Sequence, residues 1–160
     1  MQDLDIKTKL RIADLQERYI DALDSDRLEE WPEFFVDDCL YEIIPKENED
    51  AGLPAPVMRC DNKRMLHDRV VSLRNANIFQ KPVYRHFMSA MRWKKVAEGQ
   101  FTVTTNYMVI NTSQLGQSTV YQTGVYADVL VTDADGCLQF KSRRVIYDTS
   151  RVQTLLAIPI

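Results

Sequence analysis

A chain of 160 residues with 45% hydrophobic and 27% charged side chains has the length and composition of one soluble globular domain, spanning residues 1–160. Such a chain buries roughly 70% of its unfolded surface, so it needs no disulfide or metal to hold a core. Its net charge of −3 excludes the basic face that a nucleic acid or an anionic membrane would demand.

The N-terminus, Met1 to Asp5, carries acids and no apolar h-region, so no signal peptide is expected. From Asp5 to Asp24, Ile12, Leu15, Tyr19 and Leu23 recur at three- and four-residue steps. This is the stripe of an amphipathic helix. Asp26 followed by Glu29 has the form of a capping box, which predicts a second, short helix near Arg27–Glu33 that Pro32 keeps short. Trp31, Phe34 and Phe35 anchor the junction with a strand near Cys39–Pro45. A helix so anchored beside a strand start is the entry corner of a cone-shaped α+β fold.

Lys46 to Pro56 reads as a charged, Pro- and Gly-containing loop. A contact or lid element and a solvated excursion weigh equally there. A third helix is predicted near Asn62–Arg74, with Met65, Leu66, Val70 and Leu73 sharing a face. From Tyr84 the pattern is β, with strands near Tyr84–Val96, Phe101–Thr112, Val120–Asp133 and Cys137–Tyr147. Glu98-Gly99, Leu115-Gly116 and Asp135-Gly136 mark the turns. Helices followed by a meander of long strands define an α+β protein. No run is long and apolar enough to predict a transmembrane helix.

Between Phe101 and Ala127 there is no Asp, Glu, Lys or Arg. Both faces of these strands are therefore neutral. The second face reads either as a protein contact surface or as a mildly polar outer side of a central hairpin.

The sequence is poor in metal-site chemistry. Its two histidines, His67 and His86, lack the Cys-x-His and Cys-x-x-His pairs of a Rieske cluster, and no spacing makes them converge. The odd count of three cysteines, Cys39, Cys60 and Cys137, predicts buried free thiols in a reducing cytoplasm. No nucleotide or nucleophile motif occurs. Adjacent strand residues point to opposite faces, so one of Arg85 and His86 should face the helices. An inward His86 with Asp38, Tyr41 and Asp148 nearby could form a small acid–base site. An ion pair fixing helix to sheet is the reading favoured over it. Arg143, Arg144 and Asp148 in the last strand predict ion pairs within the fold or across an interface, with at least one arginine solvated on an edge strand.

Four blocks then carry a family resemblance: Trp31-Pro32-Glu33-Phe34-Phe35 with its surroundings, Asp68-Arg69-Val70 to Leu73-Arg74, Pro82 to Arg85-His86, and Arg143 to Asp148 with the tail Leu155-Leu156-Ala157-Ile158-Pro159-Ile160. In order and spacing they resemble the small (beta) subunits of Rieske-type aromatic-ring-hydroxylating dioxygenases. The Trp-Pro-x-Phe-Phe and Gly-Leu-Pro segments lean toward the branch acting on aromatic carboxylates such as terephthalate, salicylate or anthranilate. The resemblance implies a cystatin-like (nuclear-transport-factor-like) cone, with three N-terminal helices on a curved antiparallel sheet. It also implies a beta–beta trimer supporting three large (alpha) subunits in an α3β3 oxygenase. The Rieske 2Fe-2S cluster and mononuclear iron would reside in the large subunit, fed by NADH or NADPH through a reductase, with no cofactor in this chain. Under this resemblance no residue here is catalytic, and Trp31, Arg85, His86, Arg143, Arg144 and Asp148 are interface or structural candidates. The same cone hosts pocket enzymes. A stand-alone dehydratase, isomerase or cyclase using Asp38, Tyr41 and His86 is therefore the alternative, and a dimeric adaptor is a third class. An apolar plug inside the cone would count against a pocket enzyme.

Overall fold

The computed structural model describes residues 2–76, 83–149 and 158–160, with side chains from residue 5 onward. Pro82 and the tail residues Leu155, Leu156 and Ala157, quoted in the motifs above, lie outside them.

Helix α1 (Gln2–Asp24) forms along its apolar stripe. Ile12, Leu15, Tyr19 and Leu23 are buried, while Lys7, Lys9, Asp14, Glu17, Arg18 and Asp21 are exposed. The chain then turns through Asp26 in the left-handed region, at φ 57°, which a short polar side chain tolerates. It enters a 3-10 helix (Leu28–Phe34) that holds Pro32.

The expected capping box is not made. Arg27 is the N-cap and gives no side-chain cap. Asp26 and Glu29 instead grip Arg74, whose guanidinium reaches Glu29 at 2.6 and 2.8 Å and Asp26 Oδ1 at 2.9 Å. A planar cation able to serve both carboxylates outcompetes a local cap.

Strand β1 (Phe35–Pro45) begins earlier than the predicted Cys39, because Phe35 already pairs with Phe140 before an irregularity that ends at Leu40. The charged loop starts as a short helix, α2 (Lys46–Asp50), and is followed by an unpredicted strand, β2 (Met58–Cys60). In helix α3 (Lys63–Asn75) the Asn62 side chain caps the Met65 amide. Leu66 and Val70 are buried and Leu73 half-buried, but Met65 is exposed, so the apolar face is narrower than predicted.

Strands β3 (Val83–Ala97), β4 (Gln100–Thr112), β5 (Ser118–Thr132) and β6 (Leu138–Tyr147) follow as a meander. The six strands form one sheet in the order β2-β1-β6-β5-β4-β3. The sheet is mixed rather than antiparallel, since β1 runs parallel to β6. That pairing puts β6 inside the sheet, not at its edge. α1 packs on β3 and β6, and α3 packs on β1 and the 3-10 helix. One apolar core lies between the helices and the inner sheet face.

Cys39 and Cys60 are buried free thiols, whereas Cys137 is exposed at the β5–β6 turn. Among the described residues no helix is long and apolar enough to cross a membrane.

Candidate functional site

In pocket enzymes of this shape the chemistry would sit between helices and sheet, so what fills that space matters most. Here it is filled by Tyr19, Trp31, Phe35, Tyr41, Tyr126 and Phe140, each at most 1% exposed, and by Ile160. The rings pack mostly edge to face, with Trp31 5.0 Å from Tyr41 and Tyr19 5.4 Å from Phe140. A chain of hydrogen bonds stitches the plug. Trp31 Nε1 donates to the Tyr19 hydroxyl at 3.0 Å, and Tyr19 and Tyr41 both donate to the Ile160 backbone oxygen. The Ile160 amide in turn donates to Tyr41 Oη at 2.9 Å. Burial raises the Tyr41 and Tyr126 pKa values well above that of a free phenol, so both stay protonated. Burial likewise pushes the Cys39 thiol up to about 11. None of these groups is poised as a base or nucleophile near neutral pH.

The residues of the alternative acid–base site do not gather. Asp38 projects outward and pairs with Lys141, whose ammonium holds its carboxyl below the usual range. Tyr41 belongs to the plug. His86 does point inward and Arg85 outward, as strand alternation requires. His86 Nδ1 lies 2.6 Å from Asp24 Oδ1, and its backbone amide donates to Asp24 Oδ2 at 3.0 Å. The pair ties the end of α1 to β3. Asp148 takes a hydrogen bond from Thr123 Oγ1 at 3.0 Å, and among the described residues no arginine pairs with it.

Neither arginine of β6 is a solvated edge charge. Arg143 is fully buried and grips Asp128 with two parallel bonds, Nε to Oδ1 at 2.9 Å and Nη2 to Oδ2 at 2.8 Å. Gln16 on α1 bonds both partners, donating to Asp128 at 2.8 Å and accepting from Arg143 Nη2. The guanidinium also lies 4.0 Å from the Tyr126 ring centroid and 4.3 Å from those of Tyr19 and Phe140. The cation is thus dissolved in protein rather than water, and it joins helix, sheet and plug.

Arg144 faces the other way. Its Nε meets Glu42 at 2.7 Å, and its two Nη atoms meet Glu49, tying α2 to β1 and β6. Arg144 holds the Glu49 carboxyl below its ordinary pKa. These residues border an open cleft of about 530 Å³ that also carries the exposed Leu53.

The outer sheet face is accessible. Register aligns Phe87, Met108 and Thr123 in one row and Ser89, Asn106, Val125 and Ile146 in the next. A third row, Thr104 and Ala127, is flanked by Arg92 at one end and Arg144 at the other. Phe87 is 51% exposed. Among the described residues Arg92 makes no ion pair, so the two arginines form a controlled comparison. Arg144→Ala is expected to lower stability by about 2 kcal/mol, between the cost of a surface and a buried pair. Arg92→Ala should stay within about 0.5 kcal/mol. Thermal melting and oligomer mass check this; equal, near-zero effects would remove the role given to Arg144.

The donor set does not fit an iron site. His67 pairs with Glu33 at 3.3 Å and His86 with Asp24, on separate elements. Among the described residues no cluster of three or more His, Cys, Asp or Glu could hold a metal.

Gln16, Asp24 and Asp128 were not singled out from the sequence. Asp128 had a signal: it is the first charge after the neutral run and shares the inward phase of Tyr126 and Leu130.

These features define an α+β cone whose interior is plugged and whose central strands β4 and β5 present uncharged outer positions between the arginines of β3 and β6. The chain belongs to the ring-hydroxylating beta subunit family, whose model matches residues 18–154. It is 54% identical to the anthranilate 1,2-dioxygenase small subunit of Burkholderia cepacia over 98% of this chain and 96% of that one. It is 34% identical to a terephthalate 1,2-dioxygenase terminal oxygenase beta subunit of Comamonas sp., over 95% and 98% of the two chains. The crystal structure of the beta subunit of a proposed aromatic-ring-hydroxylating dioxygenase from Novosphingobium aromaticivorans superposes with a TM-score of 0.90 at 43% identity, covering 98% of this chain and 99% of that one.

Proposed function

We propose that this chain is the non-catalytic small subunit of a cytoplasmic α3β3 oxygenase that hydroxylates an aromatic carboxylate of the anthranilate type. A trimer of small subunits supports three large subunits. The large subunit carries the Rieske 2Fe-2S cluster and the mononuclear iron, and a reductase supplies electrons from NADH or NADPH. The observation that carries this reading is the plugged cone: Trp31, Tyr19, Tyr41 and Ile160 occupy the space a substrate would need. The accessible, uncharged rows around Met108 and Val125 supply a surface for protein contact, consistent with the depletion of charge at interface cores. The similarity to the anthranilate and terephthalate enzymes supports the substrate class. Trp31, His86 and Arg143 then serve by holding the cone rigid, and Arg85, Arg144 and Asp148 lie where a partner can reach them.

Co-expression with a large subunit of the anthranilate type, followed by mass measurement, tests the assembly. Equal numbers of the two chains in a hexamer are expected. A chain that stays apart from every such partner contradicts the reading.

A further inference from the structure

Strand β3 changes phase halfway along. From Val83 to Ser89 the odd-numbered residues face outward, while Tyr84 and His86 are buried. Between the pairs Ser89–Asn106 and Arg92–Thr104, two residues, Ala90 and Met91, lie opposite the single residue Thr105. This bulge shifts the alternation by one. Beyond it Arg92 and Lys94 lie beside Thr104 and Thr102 on the outer face, and the half-buried Trp93 lies beside the buried Val103 on the inner one. Without the extra residue, alternation would turn both cations inward and the tryptophan to solvent. The exchange is made at φ 52° on Ala90, a left-handed conformation unfavourable for a residue with a Cβ.

The outer side of β3 is thereby basic. The strand holds four of the chain's 20 Lys and Arg residues and none of its 23 acids, against a net charge of −3 for the whole. Arg85, Arg92 and Lys94 are exposed and make no ion pair among the described residues. Asp21, the acid whose charge Arg85 feels, is already gripped by Arg27 at 2.6 Å. Open apolar side chains lie among these cations. Val83 and Phe87 are 60% and 51% exposed, and Met108 and Ile110 of β4 and the exposed Val120 of β5 continue the apolar area beside them. An apolar centre with a charged margin is the make-up of a protein contact. Lysine on an edge strand discourages edge pairing, which accounts for the cations but not for the apolar side chains left open beside them. Two such edges would repel each other, so β3 suits a partner of opposite sign rather than its own copy. Three free cations also fall short of the roughly six to ten phosphate contacts of a nucleic-acid binder.

We propose that the outer side of β3 is a docking strip for the large subunit, whose facing surface carries carboxylates beside apolar side chains. Arg92 and Lys94 steer the approach, and Phe87 anchors the contact. This rests on the oxygenase reading, which supplies the partner, and adds where that partner lands and what charge it carries.

Rapid mixing of the full chain with a large subunit of the anthranilate type, followed by light scattering, tests it. Reversal of both cations, Arg92→Glu with Lys94→Glu, should slow association about tenfold at about 0.1 M salt, where the Debye length of roughly 10 Å confines the effect to nearby charges. At about 1 M salt, where that length is roughly 3 Å, the variant should come within about twofold of wild type. Lys7→Glu with Lys9→Glu makes the same change of net charge at exposed positions of α1 and should stay within about twofold throughout. Phe87→Ala should instead speed dissociation about tenfold and keep the association rate. Equal association rates for wild type and the β3 reversal, equal slowing by both reversals, or a β3 effect on self-association of the isolated chain in place of the large subunit would overturn the proposal and leave the oxygenase reading standing. A wild-type chain that binds no large subunit would remove both.

Discussion

Arg143→Ala is expected to lower stability by about 3–5 kcal/mol, the usual cost of stripping one partner from a buried ion pair. For a chain of this size that corresponds to a fall in melting temperature of roughly 10 °C or more. Three losses combine. Asp128, itself 0% exposed at its side chain, would be left charged and buried. Gln16 would lose its acceptor role. The Tyr19, Tyr126 and Phe140 rings would close on an empty volume where the guanidinium now sits. The pair is costly rather than intrinsically stabilising, so Arg143→Met combined with Asp128→Leu should recover much of the loss. Denaturant melts of the two singles and the double give the coupling. A single variant within about 1 kcal/mol of wild type would show that water reaches the site, contrary to the burial on which this account of Arg143 rests.

Gly124→Ala is the second large effect. Gly124 lies in β5 opposite Tyr147. A Cβ there would overlap the Ile146 carbonyl oxygen and stand 2.8 Å from the Tyr147 Cα. Both obstacles are backbone of β6, so no side chain can swing aside. Relief would require β5 and β6 to part, and the same two strands carry Asp128 and Arg143. A loss of about 3 kcal/mol or more is expected, at the upper end of overpacking costs. Gly116→Ala is the control: its φ of +80° imposes strain, but nothing lies within 4 Å of the added carbon. It should cost about 1–2 kcal/mol. If Gly124→Ala melts with the wild type, or Gly116→Ala costs more, the close approach of β5 and β6 is wrong.

What the chain wrote locally was legible in it. The stripe of Ile12, Leu15, Tyr19 and Leu23 marks α1, and the alternation from Phe101 to Val109 marks β4, because each period reflects one face turned to the core. The turns at Gly99, Gly116 and Gly136 were legible for the same reason, all three having positive φ. Features set by distant partners were not. The parallel pairing of β1 with β6 joins residues far apart in sequence, and nothing near Tyr41 announces Arg143 as its neighbour. β2 is too short for a period to show. The Asp26–Glu29 spacing is a sound capping signal, overridden by Arg74 from another helix. At the site, Arg143 and His86 were visible as residue types, but Asp128, Gln16 and Asp24 became their partners only through the fold. The pairing of an inward polar residue with an unknown counterpart is what periodicity cannot supply.

Iron content and turnover, measured side by side on the purified complex with a large subunit and on this chain alone, test the division of labour most directly. The plugged cone and the unsuitable donor set predict neither iron nor turnover in the isolated chain, and the proposed large subunit predicts both in the complex. Stoichiometric iron bound by this chain alone, or conversion of a small substrate by it without a partner, would contradict the assignment of a structural subunit.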